Sequence, residues 1–164
     1  MHAKRAVQIF GALAACLWLS ACGFHLQGRQ SLPARLATLA VDTSDRHSDF
    51  SAALRRSLAA SGVKLVERAA TDGAVLRILH DEVTERVLSV DARNIPTDYE
   101  LLYEVEVSVH AGATELMAAE TFNLSRIYSF DETKLLAKER EKDILLEAMA
   151  RDMASLVLRR LSAL

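Results

Sequence analysis

The chain has 164 residues, 51% hydrophobic, 5% aromatic and 26% charged, with 20 Lys and Arg against 22 Asp and Glu for a net charge of −2. That length supports one domain with a real core and hardly two. The slightly acidic balance lacks the basic face of a general nucleic-acid binder, and so few aromatic side chains leave little for stacking single strands.

The first residues include His2, Lys4 and Arg5, a short cationic start. Ala6 to Leu19 follows without a charge, and Gln8 is its only strongly polar residue. As a helix this run spans roughly 21 Å, short of the roughly 30 Å hydrocarbon core of a bilayer. A positive start, a short apolar segment and then small residues describe a signal peptide rather than a membrane span. Ordinary signal peptides end in an A-x-A-like site. This one ends in Leu19-Ser20-Ala21-Cys22, which resembles the lipobox of bacterial lipoproteins. The resemblance implies a diacylglyceryl thioether on the Cys22 sulfur, cleavage before Cys22 and acylation of the new amino group. Small side chains open the backbone to a membrane-embedded peptidase, and the thiol is the nucleophile. Three acyl chains exceed the two signals that stable anchoring requires. An Asp directly after such a cysteine often marks inner-membrane retention; here Gly23 follows, so the outer membrane is expected.

The expected organisation is therefore a leader over 1–21, a lipidated N-terminus and tether over 22–35, and a single α/β domain over 36–164. Cys16 lies in the leader, so the mature chain has no cysteine beyond Cys22 and no disulfide or thiolate metal site. The leader also takes Lys4 and Arg5, leaving 18 basic and 22 acidic residues and a charge of −4.

Residues 23 to 35, "GFHLQGRQSLPAR", show no clear periodicity and read as an extended tether. A first strand is expected from Leu36 to Val41, closed by the polar group "DTSDRHSD". Ser48 or Asp49 can cap a helix carrying Phe50, Leu54 and Leu58 at i, i+4 and i+8. Gly62 stands where a left-handed C-terminal cap would fall, and "VKLVE" begins the next strand. In "AVLRILHDEVTERVLSV", residues 74 to 90, alternation changes phase near His80 to Val83. One bulged strand and two shorter strands both explain that shift. "DARNIPTD", residues 91 to 98, is a turn by its chemistry.

The strand "ELLYEVEVSVH" places Leu101, Tyr103, Val105, Val107 and Val109 on one face and Glu100, Leu102, Glu104, Glu106, Ser108 and His110 on the other. "AGAT" is a hairpin turn, after which Leu116, Ala118, Phe122 and Leu124 are expected to share a face. After Phe130 the rest reads as one long helix with Leu146, Met149, Met153, Leu156, Val157 and Leu161 as its apolar stripe. The predicted class is α/β in the α+β sense. It is a two-layer sandwich, with two helices on one face of a mostly antiparallel or mixed sheet of four to five strands.

Catalytic chemistry is not evident. There is no G-x-S-x-G elbow, P-loop or Rossmann glycine pattern, and His25, His47, His80 and His110 stand apart without zinc-ligand spacing. Glu104 and Glu106 read as a solvated outer face rather than a carboxylate pair. Met149 and Met153 read as core filling. No enzyme activity, metal or cofactor is expected.

Three segments carry a resemblance: "CGFHLQG" at the mature start, the Arg93 turn followed by "YEL", and "LAKEREKD". In this order and spacing the chain resembles the LPS-assembly lipoprotein LptE family over nearly the whole mature sequence. The resemblance implies a subunit of the lipopolysaccharide transport machine, lipid-anchored at the outer membrane on its periplasmic side or within a barrel lumen. Such proteins plug the LptD β-barrel, assist its assembly and bind lipopolysaccharide. It also implies that Arg93 and Lys138 face lipopolysaccharide. Lipid A carries phosphates, for which Arg offers a planar fork of donors and Lys a compact charge. Arg86, Arg126 and Lys134 are basic neighbours that the family pattern does not single out. Ile95 and Pro96 stand where relatives often have glycine, and Glu139 and Glu141 beside Lys138 weaken its field for phosphate.

The leading reading is thus a plug and assembly factor of a barrel translocon, with no nucleic-acid partner. A second is an independent periplasmic lipid-binding or carrier lipoprotein, which needs an apolar cavity between sheet and helices. A third is a lipid-anchored enzyme, for which no nucleophile and base are paired in the sequence.

Overall fold

A computed structural model describes residues 32–164, with the side chain of Glu132 excepted. The leader, Cys22 and all but the end of the tether lie outside the described residues.

The chain enters through a 3-10 turn at Ala34–Leu36, closed by a 2.8 Å hydrogen bond from Leu36 N–H to the Pro33 carbonyl. That turn delivers Leu36 to the core fully buried. Strand β1 therefore spans Thr38–Asp42 and begins two residues later than its apolar pattern suggested. Helix α1 covers Asp49–Ala60. Ser48 is its cap: the hydroxyl oxygen accepts from Ser51 N–H at 3.1 Å and donates to Asp81 at 2.6 Å, tying the helix start to the sheet. Phe50, Leu54 and Leu58 are fully buried, as their spacing predicted. Gly62 ends the helix at φ 88°, a conformation that glycine adopts without Cβ strain, and β2 follows at Lys64–Val66.

Three long strands then form a meander: β3 at Ala74–Val90, β4 at Pro96–Ala111 and β5 at Thr114–Ser129. The sheet order is β2-β1-β3-β4-β5, parallel among the first three and antiparallel among the last three. The two-layer α+β expectation holds, with five strands and a mixed sheet. The 74–90 segment is a single strand. Its phase change is a bulge at Leu79: Ile78 pairs with Val107 and His80 with Glu106. Asp81, Val83, Glu85 and Val87 thereby regain the face of Ala74, Leu76 and Ile78.

A second irregularity corrects the face expected for β5. Val107 pairs with Glu120 and Val109 with Met117, so Ala118 and Ala119 together oppose Ser108. The extra residue turns Met117 inward to 3% exposure and leaves Ala118 exposed, while Phe122 and Leu124 keep the expected side against the core. The predicted turn at 91–98 is also shorter. Pro96 opens β4, where a strand tolerates a residue without an N–H.

Helix α2 spans Leu135–Ser162, entered through a 3-10 turn at Glu132–Lys134. Its buried residues start at Met149 and continue through Met153, Val157 and Leu161. With Phe50, Leu54, Leu76, Leu101, Val105 and Val107 they fill the layer between helices and sheet. The cover is uneven along the strands. β1 pairs only with Ala74 to Arg77 of β3, so beyond Arg77 the sheet is three strands wide. Over that extension lies the first half of α2, with Leu135, Leu136 and Ile144 exposed.

Candidate functional site

The extension ends in the turn between β3 and β4, built on Asp91. One carboxylate oxygen accepts from the backbone N–H of Arg93 at 2.8 Å and of Ile95 at 3.0 Å. The other accepts from Arg93 Nε at 3.0 Å and lies 2.9 Å from its Nη2. The Ile95 N–H first, then Arg93, holds the Asp91 carboxyl below the usual carboxylate range. Asn94 sits at φ 63°, so the left-handed position falls on a residue that tolerates it without glycine. At the base of the turn Ser89 bonds to both Thr97 and Asp98.

The turn is coupled to the start of α2. Phe130 N–H donates to the Thr97 carbonyl at 2.7 Å, and Ser129 pairs with Asp98. Tyr99 stacks on Tyr128 with centroids 5.6 Å apart and meets the edge of Phe130. Tyr128 O–H donates to one oxygen of Glu85, and Lys142 of α2 donates to the other. Burial pushes the Glu85 carboxyl up, but the bonds from Lys142 and Tyr128 together outweigh it and leave it below its ordinary value. Burial first, and then Glu85, pushes the Tyr128 phenol up.

Lys138 lies near the start of α2. Its ammonium is 2.8 Å from Glu141 and 3.5 Å from Ser129 Oγ. Arg93 and Lys138, far apart in sequence, are thus brought to the same end of the molecule. The other basic candidates are engaged: Arg86 with Glu100, Lys134 with Asp131, and Arg126 with Asp152 of α2 at 3.0 Å.

What the sequence reading missed is apolar. Val87, Leu88 and Val90 of β3 are exposed, as are Ile127 of β5 and Leu135 and Leu136 of α2; Leu136 reaches 82%. The readable signal was that Leu135 and Leu136 stand outside the stripe begun by Leu146. Val90 directly precedes Asp91 of the Arg93 turn, and Leu135 and Leu136 stand just before Lys138 on α2, so each basic residue has exposed apolar neighbours on its own segment, whereas Ile127, paired with Glu100, lies on the face away from the helices. On the face away from the helices, His80 Nε2 lies 3.3 Å from Glu82 and 3.9 Å from Glu104. Among the described residues no group of three His, Cys, Asp or Glu is placed to hold a metal ion, and no helix is long and apolar enough to cross a membrane.

The family model described as "LptE: Lipopolysaccharide-assembly" matches residues 36–161. A protein of Pectobacterium atrosepticum named LPS-assembly lipoprotein LptE is 29% identical over 148 residues, 90% of this chain and 80% of its own. The protein of that name from Yersinia enterocolitica is 26% identical over 90% of this chain and 71% of its own. The crystal structure of the rare lipoprotein B of Shewanella oneidensis superposes with a TM-score of 0.69 at 29% identity, covering 77% of this chain and 94% of that one. The solution structure of a lipoprotein B from Nitrosomonas europaea gives 0.71 at 26% identity, over 86% of this chain and 91% of that one. A family match running from the 3-10 turn before β1 to the last turn of α2, on a shared fold, is decisive: this chain belongs to the LptE family.

Proposed function

We propose that the protein is an outer-membrane lipoprotein of lipopolysaccharide assembly, anchored through acyl chains on Cys22. In this reading residues 1–21 are removed, 22–35 link the anchor to the fold, and 36–164 act as one domain. The domain binds lipopolysaccharide and serves as plug and assembly factor of an LptD-type β-barrel. The observation that carries it is the family match over residues 36–161, joined to two basic residues with exposed apolar neighbours, which suit a phosphorylated, acylated glycolipid.

The binding chemistry follows from the side chains. Arg93 offers a fork of donors to a phosphate and Lys138 a point charge, while Leu88, Val90 and Leu136 offer apolar surface for acyl chains. The opposite face of the sheet, with Glu100, Glu104, Glu106 and His110, suits the polar interior of a large barrel. Filling of the layer between sheet and helices by Phe50, Leu54, Met149 and Met153 argues against a carrier that encloses its lipid.

The test is extraction of the protein from membranes under mild conditions and identification of what accompanies it. A large β-barrel protein in stoichiometric amount is the expected result, together with loss of surface lipopolysaccharide on depletion. Repeated isolation without any barrel would overturn the partnership.

A further inference from the structure

A second cluster of donors lies at the opposite end of the sheet, on the face away from the helices. Val75 of β3 pairs with His110 of β4, and Arg77 stands on the same face two residues on. With the β2–β3 loop and Gly112 they form a pocket of about 430 Å³, whose described lining includes Arg68, Thr71, Arg77 and His110 but no carboxylate. The loop is a shaped wall. Gly73 N–H donates to the Ala70 carbonyl at 2.8 Å, and a Cβ on Gly73 would lie 2.9 Å from the Ala70 nitrogen. Arg68 is exposed and has no hydrogen bond or ion pair among the described residues. Arg77 meets Asp42 through Nε at 3.2 Å, and a guanidinium carries further donors on its two terminal nitrogens. Asp42, Asp72 beside Gly112 and Glu115 opposite His110 are acidic neighbours, and none of them lines the pocket.

The pocket sits where the chain enters the fold. Leu39, near the start of β1, pairs with Ala74, and Ala74 pairs with Ala111. The Arg93 turn is at the far end of β3, roughly 50 Å away at about 3.3 Å per residue. From Cys22 to Leu32 the chain spans ten positions, at most roughly 36 Å when fully extended. An acyl anchor on Cys22 therefore keeps the entry end, and this pocket with it, near the headgroups of its own leaflet. The same holds for a plug, because acyl chains lie outside a barrel and the tether must leave at its mouth.

We propose that this pocket binds the headgroup phosphate of an anionic glycerophospholipid and so steadies the entry end against the leaflet that holds the anchor; the orientation rests on the Cys22 reading, whereas the binding does not. Glycerophospholipids supply the phosphates that surround an acyl chain in its own leaflet. A chain with a net charge of −2 is repelled as a whole by an anionic surface, so contact is favourable only at a local site without carboxylates. Arg68 offers a planar fork to two phosphate oxygens and Arg77 its terminal N–H groups. Thr71 and His110 each add a donor without needing a charge.

The experiment titrates the protein, extracted from membranes in an uncharged detergent, with dihexanoyl phosphatidylglycerol, inorganic phosphate and dihexanoylglycerol in turn. The ring signals of His110 are followed by NMR. Saturable shifts with phosphatidylglycerol are expected, and none with dihexanoylglycerol, which lacks the phosphate. Arg68→Gln and Arg77→Gln should each weaken that binding by roughly five-fold, the effect of one basic residue at an anionic surface. Arg68 has no partner to lose and the Arg77 pair is exposed, so both variants should fold. Arg140→Gln, at an exposed position in the first half of α2, controls for the loss of one positive charge and should leave binding unchanged. No shift with phosphatidylglycerol, or an equal affinity in Arg68→Gln, would overturn the site. Equal saturation by inorganic phosphate, or weaker binding of purified lipopolysaccharide by Arg68→Gln, would overturn the glycerophospholipid assignment in favour of that ligand. Mass spectrometry of the same sample reads the acyl chains on Cys22 separately, so failure of the anchor leaves the binding result standing.

Discussion

Lys142 of α2 donates to the Glu85 carboxylate of β3, 57 positions earlier in the chain. Tyr128 of β5 bonds to the other oxygen of the same carboxylate, so one side chain joins two strands and a helix. This joint holds the first half of α2 over the three-stranded extension, where the helix buries little of its own.

Lys142→Ala is therefore expected to loosen a region rather than unfold the molecule. Both partners of the pair are partly exposed, so the global cost should stay near or below about 1 kcal/mol. Hydrogen exchange should quicken across 135–147 and remain slow across 149–161. Uniform change along α2 would refute the local role of the joint.

The same pair has a pH signature. The Glu85 carboxyl is held below its ordinary value in the fold. Its contribution to stability is thus present above the carboxylate range and is lost as pH falls through the folded value. The stability difference between wild type and Glu85→Gln should shrink between about pH 5 and pH 3. A difference that stays constant over that range, measured by urea unfolding, would rule out a charged Glu85 as the source.

Ser48→Ala removes the cap of α1 and leaves Asp81 without that donor. A cost of about 1–2 kcal/mol is expected. Phe50→Ala, at a fully buried position in the first turn of α1, should cost about 3–5 kcal/mol. Leu136→Ser should leave the unfolding midpoint unchanged, because Leu136 is 82% exposed, yet weaken lipopolysaccharide binding.

Joint charge removal at Arg93 and Lys138 should weaken lipopolysaccharide binding by roughly ten-fold or more, given that a hydrogen bond to a charged group contributes about 1.5–3 kcal/mol. Unchanged binding by a folded double variant would return both to the status of surface charges. Cys22→Ser should abolish lipid labelling and membrane retention while the domain over 36–164 still folds, which fractionation and circular dichroism would check.

The elements readable from sequence were those whose signal is local. Ser48 with Phe50, Leu54 and Leu58 defines α1 at both its cap and its buried face. Gly62 marks its end, and alternation from Leu101 to Val109 orients β4. Where a single extra residue intervenes, local pattern fails. Two residues opposite Ser108 turn Met117 inward, and only the partner strand decides where they are accommodated. At the candidate site, Arg93 and Lys138 were singled out by family likeness alone. Their convergence depends on Phe130 bonding to Thr97 and Ser129 pairing with Asp98, which are contacts between distant segments. The 82% exposure of Leu136 reflects its place before the buried stripe, which starts only at Met149.

Because β1 stops at Asp42 while β3 runs on to Val90, the packed core and the exposed extension occupy opposite halves of one sheet. Substitutions in the turn around Arg93 or at the exposed Leu136 can therefore change the surface of the tip while the packing around Phe50 and Met153 stays as it is. The overhang makes the protein a fixed handle with an interchangeable head.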